Sequence, residues 1–108
     1  MNKITMTRGD TRTLTLTLTD ADGDPYNLTG ATLRFTVGDL FEKALGDGIA
    51  VASPATGVAV ITIDPDDTEN ANGRHSYPYD IEVTFVDGTV VTPILGRFVL
   101  RPDVSTPD

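Results

Sequence analysis

Hydrophobic and polar residues alternate strictly along residues 11–19, with leucine at positions 14, 16 and 18 and threonine at every odd position. Successive side chains of a β-strand point to opposite faces of the sheet, so Leu14, Leu16 and Leu18 share one face. Threonine is β-branched and fits a pleated surface without adding charge. The run therefore predicts a half-buried strand with a leucine side in the core and a threonine side in solvent.

Further short runs have strand character and are separated by turn residues. They cover residues 3–7, 31–37, 49–52, 58–63, 77–86 and a last stretch, 89–101, that Pro93 interrupts. Residues 58–63 are apolar on both faces, which predicts a central or doubly covered strand. Pro93 has no N–H for a ladder, so it marks a bend, a bulge or an edge. About seven short strands in about 100 residues predict an all-β, immunoglobulin-like antiparallel β-sandwich.

Two segments depart from this strand pattern. Asp64 stands before Pro65, an arrangement that favours a helix with Asp64 as its N-cap and Pro65 in its first position. Gly73 would end that helix. Between residues 39 and 45, the residues Leu40, Phe41, Ala44 and Leu45 fit one helical stripe. We therefore expect one or two short helical turns, the second of them at 39–45.

The composition limits the classes of function. The 108 residues include 8 basic and 16 acidic side chains, a net charge of −8, and no cysteine. This length fits one domain, which we place at residues 1–101, followed by a polar C-terminal extension at 102–108. Without cysteine there is neither a disulfide nor a thiolate metal site. Acidic charge and scattered arginines argue against nucleic-acid binding, and no apolar run has the length of a membrane span.

Residues with catalytic potential are few. His75 is the only histidine and follows a glycine–arginine pair, which indicates a solvated residue without a metal. None of the serines, Ser53, Ser76 and Ser105, belongs to a recognisable nucleophile motif. Residues 8–10 spell Arg-Gly-Asp, an integrin-type tripeptide, but glycine and aspartate between two strands are ordinary turn residues. We therefore expect no catalytic residue and no cofactor.

Asp20, Asp22 and Asp24 are weak candidates for a calcium site. Carboxylates at alternating positions suit this hard cation, as at the start of an EF-hand loop. That loop also needs a glutamate at its twelfth position, which here is Ala31. Aspartate and glycine are, in addition, what a tight turn requires. We therefore expect no metal site. If the chain does bind calcium, these three aspartates are the candidate ligands.

Leu40, Phe41 and Leu45 are the candidate docking surface. If all three cannot reach the core, they leave an exposed apolar area of the kind that binds other proteins. The alternative is that they close one end of the sandwich. Exposed strand edges are a second means of docking, because their unpaired N–H and C=O groups accept a neighbouring strand.

The turn motifs occur in a distinctive order along the chain. They lie at 8–11, 22–25, 28–32, 57, 73–74, 77–81, 87–88, 96 and 102–104. In this order the chain resembles a family of phage and prophage structural proteins, specifically the immunoglobulin-like domain at the N-terminus of bacteriophage baseplate upper proteins.

The resemblance implies a non-enzymatic structural component of a phage or prophage particle, from the tail, baseplate, neck or capsid-associated parts. Its partners would be other virion proteins, contacted in several symmetric copies, without nucleic acid or membrane. The location would be the virion, assembled in the bacterial cytoplasm. The alternative is a bacterial surface or adhesin-type module that recognises carbohydrate or a host protein, and a small calcium-dependent binding domain is a third hypothesis.

Four residues are expected to have structural roles in such a fold. Tyr77 or Tyr79 would form a tyrosine corner, with its ring in the core and its hydroxyl on upstream backbone. Gly88 would complete a two-residue hairpin turn with Asp87, because glycine tolerates positive φ. Gly96 would precede the last strand.

Overall fold

The computed structural model describes residues 2–69, 71 and 75–101, and this part of the chain is mostly β-strand with almost no helix. Its strands are β1 (Asn2–Thr7), β2 (Arg12–Thr17), β3 (Thr32–Val37), β4 (Phe41–Leu45), β5 (Gly48–Ser53), β6 (Val58–Ile63), β7 (Ser76–Thr84) and β8 (Val90–Arg101). A 3₁₀ turn, Pro54–Thr56, precedes β6, and a four-residue helix, α1 (Pro65–Thr68), follows it. The all-β class is confirmed. The extension at 102–108 and Gly73, the expected helix end, lie outside the described residues.

The strands form one mixed sheet in the order β1-β8-β7-β3-β4-β5-β6-β2, and this sheet is nearly closed as a barrel. Most neighbours are antiparallel, but β1 is parallel to β8 and β4 to β5. The expectation of purely antiparallel pairing was therefore wrong. The edge strands β1 and β2 are joined by a short turn, and the Arg12 guanidinium donates from Nη1 to the Thr5 carbonyl at 3.0 Å. This hydrogen bond links the first residue of β2 to β1, while the backbones of the two strands remain unpaired with each other.

Strands β4 and β5 are parallel neighbours although they follow each other directly in the sequence. Only Gly46 and Asp47 separate the two strands, whereas parallel neighbours in a regular sheet need a connection of a dozen or more residues. The pairing itself is short and includes Leu45 opposite Ile49. Gly46 and Gly48 have φ angles of 84° and 94°, which glycine adopts without strain. The chain thus moves from the position of β4 to the neighbouring position of β5 in the sheet without reversing its direction.

The helix expected at residues 39–45 was wrong, because most of this segment is strand β4. It pairs with β3, with Phe41 opposite Val37 and Lys43 opposite Phe35. A five-residue run is too short for periodicity to distinguish a helix from a strand, so tertiary pairing decides. Phe41 and Lys43 point to the same side, where Lys43 is buried, while Glu42 between them is exposed.

The other short helix, α1, begins as the sequence predicts. Asp64 is its N-cap and Pro65 occupies the first turn. The Asp64 N–H donates to Asp67 Oδ2 at 2.7 Å, so a first-turn carboxylate satisfies the backbone at the helix start.

The leucine side of residues 11–19 faces the core as predicted. Leu14 and Leu18 are buried and Leu16 is partly buried against the same cluster, while Thr13 and Thr15 are exposed. Strand β2 itself ends at Thr17, but the alternation continues through Leu18. On β6, residues 59, 61 and 63 are buried and the alternate residues are half-buried, consistent with a doubly covered strand.

Aromatic rings link the strands across the interior. Phe35 on β3 packs edge-to-face with Tyr79 on β7 at 5.6 Å and with Phe41 on β4 at 5.8 Å between ring centroids. Phe41 in turn packs against Phe98 on β8 at 5.8 Å. Such pairs add roughly 0.5–1.5 kcal/mol each to what burial of their surface supplies. The centre of the core is therefore an aromatic chain that runs from β7 to β8 through β3 and β4.

Strand β8 continues through Pro93 because the sheet contains a bulge there. Its register with β7 shifts between the Ile81–Ile94 and Val83–Val91 pairs, which leaves an extra residue on β8. A residue without an N–H is tolerated at such a site. Of the three expectations for Pro93, the bulge is confirmed. Gly96 lies inside β8 and not before it, opposite Tyr79.

The hairpin between β7 and β8 has a three-residue loop and not the expected two-residue turn. The Gly88 N–H donates to the Phe85 carbonyl at 2.9 Å, and the Phe85 N–H donates to the Thr89 carbonyl at 2.8 Å. Gly88 has a φ of 91°. A left-handed residue at the end of a short turn is the usual solution for three-residue hairpin loops, so Gly88 keeps the role predicted for it.

Candidate interaction surface

Three connections meet at one end of the molecule, which we call the loop end: residues 18–31, 53–57 and 85–89. The first two are joined by backbone hydrogen bonds, because the N–H groups of Leu18 and Leu28 donate to the carbonyls of Gly57 and Pro54, both at 2.8 Å. The first and third are joined by the rings of Tyr26 and Phe85, whose centroids lie 5.5 Å apart. The loop end is therefore one connected unit and not three independent loops.

Carboxylates shape the loops at this end. Asp20 Oδ1 accepts the N–H groups of Asp22 and Asp24 at 2.9 and 3.0 Å, which closes the turn after β2. Asp87 Oδ1 accepts the Thr89 N–H at 2.9 Å, and hydrogen bonding from Thr89 lowers the pKa of Asp87. The loop end carries these four carboxylates and no lysine or arginine. The loop end is therefore negatively charged, and the carboxylates of Asp20 and Asp87 accept hydrogen bonds within their own turns.

The calcium candidates Asp20, Asp22 and Asp24 thus form an aspartate turn. Within residues 2–69, 71 and 75–101, no group of three or more histidine, cysteine or acidic side chains is arranged to hold a metal ion. The Asp20 oxygen that a cation would need receives two backbone N–H groups. The geometry gives these residues a structural role in the loop.

Large apolar side chains are exposed on the β7–β8 hairpin. Val86, Val90 and Leu95 are 83%, 53% and 67% exposed. Strand β1 pairs with β8 only over residues 96–101, so within the described chain the 90–95 part of β8 is paired with β7 alone. We call residues 85–95 the hairpin arm. It combines exposed apolar side chains with a partly open strand edge.

The candidate docking residues do not form one surface. The Phe41 ring lies between the rings of Phe35 and Phe98, and Leu40 packs against the same core. Only Leu45 remains exposed, at 41%. It borders a shallow depression that includes Gly30 and Pro54 and so adjoins the loop end. Leu40 and Phe41 therefore have the core-closing role that was the alternative, whereas Leu45 extends the exposed surface at the loop end.

A buried ion pair at the opposite end of the molecule escaped the sequence analysis. Lys43 points inwards from β4, and its Nζ lies 2.8 Å from Asp67 Oδ2 and 3.6 Å from Asp64 Oδ2. The Lys43 side chain is 9% exposed. Gly48 makes room for it, because a Cβ at that position would overlap Lys43 Cδ. The pair connects β4 to α1 across the core and is a structural element.

Burial alone would lower the pKa of Lys43, but hydrogen bonds and charges from Asp67 and Asp64 outweigh burial and raise it above 10.5. Burial also raises the pKa of the Tyr79 hydroxyl above 10.0. A raised folded-state pKa gives stability that is complete below the unfolded-state pKa and is lost as the pH rises through the folded-state value.

We therefore expect the melting temperature to fall as the pH rises above about 10. The double variant Lys43→Met, Tyr79→Phe removes both groups and should fall less over the same range. Circular dichroism melts of both proteins at neutral and alkaline pH measure this difference. Parallel curves would contradict the assignment to these two groups.

A tyrosine corner is formed by Tyr77 and not by Tyr79. The Tyr77 hydroxyl donates to the Ala71 carbonyl, six residues upstream, at 3.2 Å, and its ring is buried. Tyr79 packs its ring on Phe35 instead. The corner links the start of β7 to the backbone of Ala71.

We predict that Tyr77→Phe lowers the free energy of unfolding by about 1 kcal/mol, because the Ala71 carbonyl loses a buried hydrogen bond. Tyr79→Phe is the matched control, since it removes the same atom two residues along the strand and leaves this bond intact. Urea unfolding of both variants measures the difference. An unchanged stability of Tyr77→Phe would contradict a stabilising corner.

The remaining polar candidates take part in local structure. The Arg-Gly-Asp turn is attached to α1, because Arg8 Nη2 donates to the Glu69 carbonyl and the Gly9 N–H donates to Thr68 Oγ1, both at 2.9 Å. The His75 side chain is exposed, while its backbone carbonyl accepts the Leu100 N–H at 2.8 Å. These contacts give the tripeptide a turn role.

No protein-family model matches the chain, and a search of curated proteins returns no significant match. In the described part of the chain, no helix is long and apolar enough to cross a membrane.

Proposed function

We propose that this protein is a non-enzymatic structural component of a phage or prophage particle, built on an immunoglobulin-like sandwich. It would act through contacts of the loop end and the hairpin arm with other virion proteins, in several symmetric copies. The mechanism is passive: a stiff β-domain holds these surfaces in fixed positions. Its excess of acidic residues would keep free subunits soluble before assembly.

The order of the strands supports the immunoglobulin-like part of the proposal. Divided at the step between β4 and β5, the sheet has one half in the order β2-β6-β5 and another that contains β8-β7-β3. These correspond to strands B, E, D and G, F, C of the immunoglobulin fold. Tyr77 occupies the matching position of the tyrosine corner, at the start of the strand equivalent to F.

The observation that carries the functional part is the exposure of apolar side chains on pre-ordered elements. Val86 and Leu95 are mostly exposed, yet the hairpin that bears them is held by the β7–β8 ladder and by the contact between Phe85 and Tyr26. A surface that is already ordered loses less conformational entropy when it binds. Exposed apolar area of this kind is typical of a protein–protein contact.

The polar groups support a passive role as well. Asp20 and Asp87 bind backbone within their own loops, and Asp67 binds Lys43 and the start of α1. These groups are used to build the fold, which is what a scaffold requires and a hydrolytic site does not.

Quantitative mass spectrometry of particles purified from the source organism tests the proposal. We expect this chain at a fixed ratio to the major tail or capsid proteins in every preparation. Its absence from the particles would contradict the proposal, and its recovery with the bacterial cell surface would instead favour the adhesin-type alternative.

A paired variant tests the surface itself. Val86→Asp with Leu95→Asp should fold normally, because both side chains are largely exposed, but should be depleted from particles. Ala50→Asp with Ala52→Asp is the control, since it makes the same charge change at two exposed positions of β5. Equal incorporation of both proteins would show that the hairpin arm makes no contact in the particle.

A further inference from the structure

Strand β2 presents a free edge made of threonine backbone. It pairs with β6 on one side and, among the described residues, with no strand on the other. Leu18 uses both its backbone groups on the paired side: its N–H donates to Gly57 at 2.8 Å and its carbonyl accepts from Tyr26 at 2.9 Å. Because backbone groups alternate in direction along a strand, those at the odd positions point away from β6. The free edge thus consists of the N–H and C=O groups of Thr13, Thr15, Thr17 and Thr19.

This edge lacks the features that protect the other open edges of the sheet. Strand β1 carries the exposed Lys3, and its Thr5 carbonyl is occupied by Arg12. The open part of β8 contains Pro93 and a bulge. Lysine, proline and bulges are the usual means of preventing edge-to-edge pairing. Residues 13–19 contain none of the three, and the β2–β6 register is regular throughout.

We propose that the free edge of β2 binds the same edge of a second copy of this chain, antiparallel, about a two-fold axis that passes between Thr15 and Thr17. Thr15 then lies opposite Thr17 of the second copy, and Thr13 lies opposite Thr19. Each such pair exchanges two backbone hydrogen bonds. Threonine pairs are also favourable side-chain neighbours across strands. Because threonine occupies every odd position from 13 to 19, each threonine of one edge lies opposite a threonine of the second copy.

The charged residues at the two ends of this edge favour antiparallel pairing with a second copy. Arg12 stands before the threonines and Asp20 after them. The same register places Arg12 opposite Asp20 of the second copy, and the symmetry repeats this ion pair at the other end. A parallel pairing in register would instead place Arg12 beside another Arg12.

Both charged groups are already positioned in the single chain. The Arg12 guanidinium is held by the Thr5 carbonyl, and the Asp20 carboxylate by the N–H groups of Asp22 and Asp24. Neither side chain needs to lose much further freedom when the pair forms. The inference depends on the strand order, the direction of the β2 backbone groups and the charges of Arg12 and Asp20. It is independent of the proposed function, so either can fail without the other.

Sedimentation velocity of the purified chain, from micromolar to millimolar concentration, tests the proposal. We expect a monomer–dimer equilibrium, together with concentration-dependent protection of the amides of Thr13, Thr15, Thr17 and Thr19 in hydrogen exchange. A monomer over the whole range would overturn the proposal. A dimer whose protected amides lie elsewhere would overturn it too.

Two variants define the contact. Arg12→Glu places like charges at both ends and should weaken association by at least about tenfold. Arg97→Glu is the control, because it makes the same charge change at an exposed position of β8, away from the β2 edge. Thr15→Pro should also abolish the dimer while the monomer still folds, because the N–H it removes faces away from β6. Equal dimerisation of Arg12→Glu and Arg97→Glu would contradict the register.

Discussion

Replacing Gly57 with alanine should lower the free energy of unfolding by about 3–5 kcal/mol, since backbone strain and steric overlap act together at this position. Gly57 has a φ of 72°. A Cβ there would lie 2.8 Å from the carbonyl oxygens of both Leu18 and Tyr26. Those oxygens belong to the backbone that joins β2 to the loop end, so neither can move without disturbing the hydrogen bonds that hold it.

Gly23→Ala is the control for this effect. Gly23 has a comparable φ of 88°, but no atom lies within 4 Å of a Cβ built there. We expect it to cost about 1–2 kcal/mol, the strain of a left-handed alanine alone. Guanidinium unfolding of both variants gives the two values. Equal losses would contradict the close packing of the loop end around Gly57.

Asp67→Asn should lower the free energy of unfolding by about 3 kcal/mol, because it leaves the buried Lys43 ammonium without its nearest counter-charge. Asparagine can still accept the Asp64 N–H at the start of α1, so the helix cap is retained. Asp64 remains as a partner, but at 3.6 Å and with a side chain that is 59% exposed.

Lys43→Met should cost less than Asp67→Asn, because it replaces the buried cation with an apolar side chain of similar length. Of the two carboxylates left, Asp64 is mostly exposed and Asp67 still accepts the Asp64 N–H. The double variant Lys43→Met, Asp67→Asn should then be more stable than Asp67→Asn alone. Urea unfolding of the unmodified protein, the two single variants and the double variant completes the cycle. A Lys43→Met variant as unstable as Asp67→Asn would contradict this asymmetry.

The sequence was sufficient for those elements whose pattern is long or chemically distinct. Hydrophobic and polar residues alternate over the nine positions 11–19. This two-residue period is enough to predict strand β2 and the side of it that faces the core. The start of α1 follows from Asp64 and Pro65, and the missing N–H of Pro93 predicts a bend, a bulge or an edge, of which the sheet has a bulge. In each case a local physical requirement determines the structure.

The features that were not predicted depend on contacts between residues that are distant in the sequence or are brought together only by the fold. Residues 39–45 fit a helix or a strand equally well, and pairing with β3 decides between them. Lys43 is separated from Asp67 by more than twenty residues, and nothing near it in sequence shows that it is buried. The choice of Tyr77 over Tyr79 depends on where the Ala71 carbonyl lies, which only the folded chain determines.

The candidate docking surface was also only partly predictable from the sequence. Leu40, Phe41 and Leu45 were the candidates, but Leu40 and Phe41 pack against the core, and the most exposed large apolar side chains lie on the hairpin arm. Val86 and Leu95 read as ordinary strand or turn residues in the sequence, because exposure of an apolar side chain depends on which neighbouring strands are present. Strand β1 begins opposite Gly96 and so leaves Leu95 uncovered by it.

We propose that this β-domain is a building block of a phage particle, and an electron cryo-microscopy reconstruction of particles purified from the source organism tests this role. We expect density for the eight-stranded domain in symmetry-related positions, with the loop end or the hairpin arm against neighbouring virion proteins. A complete reconstruction in which every domain is accounted for by other chains would contradict it.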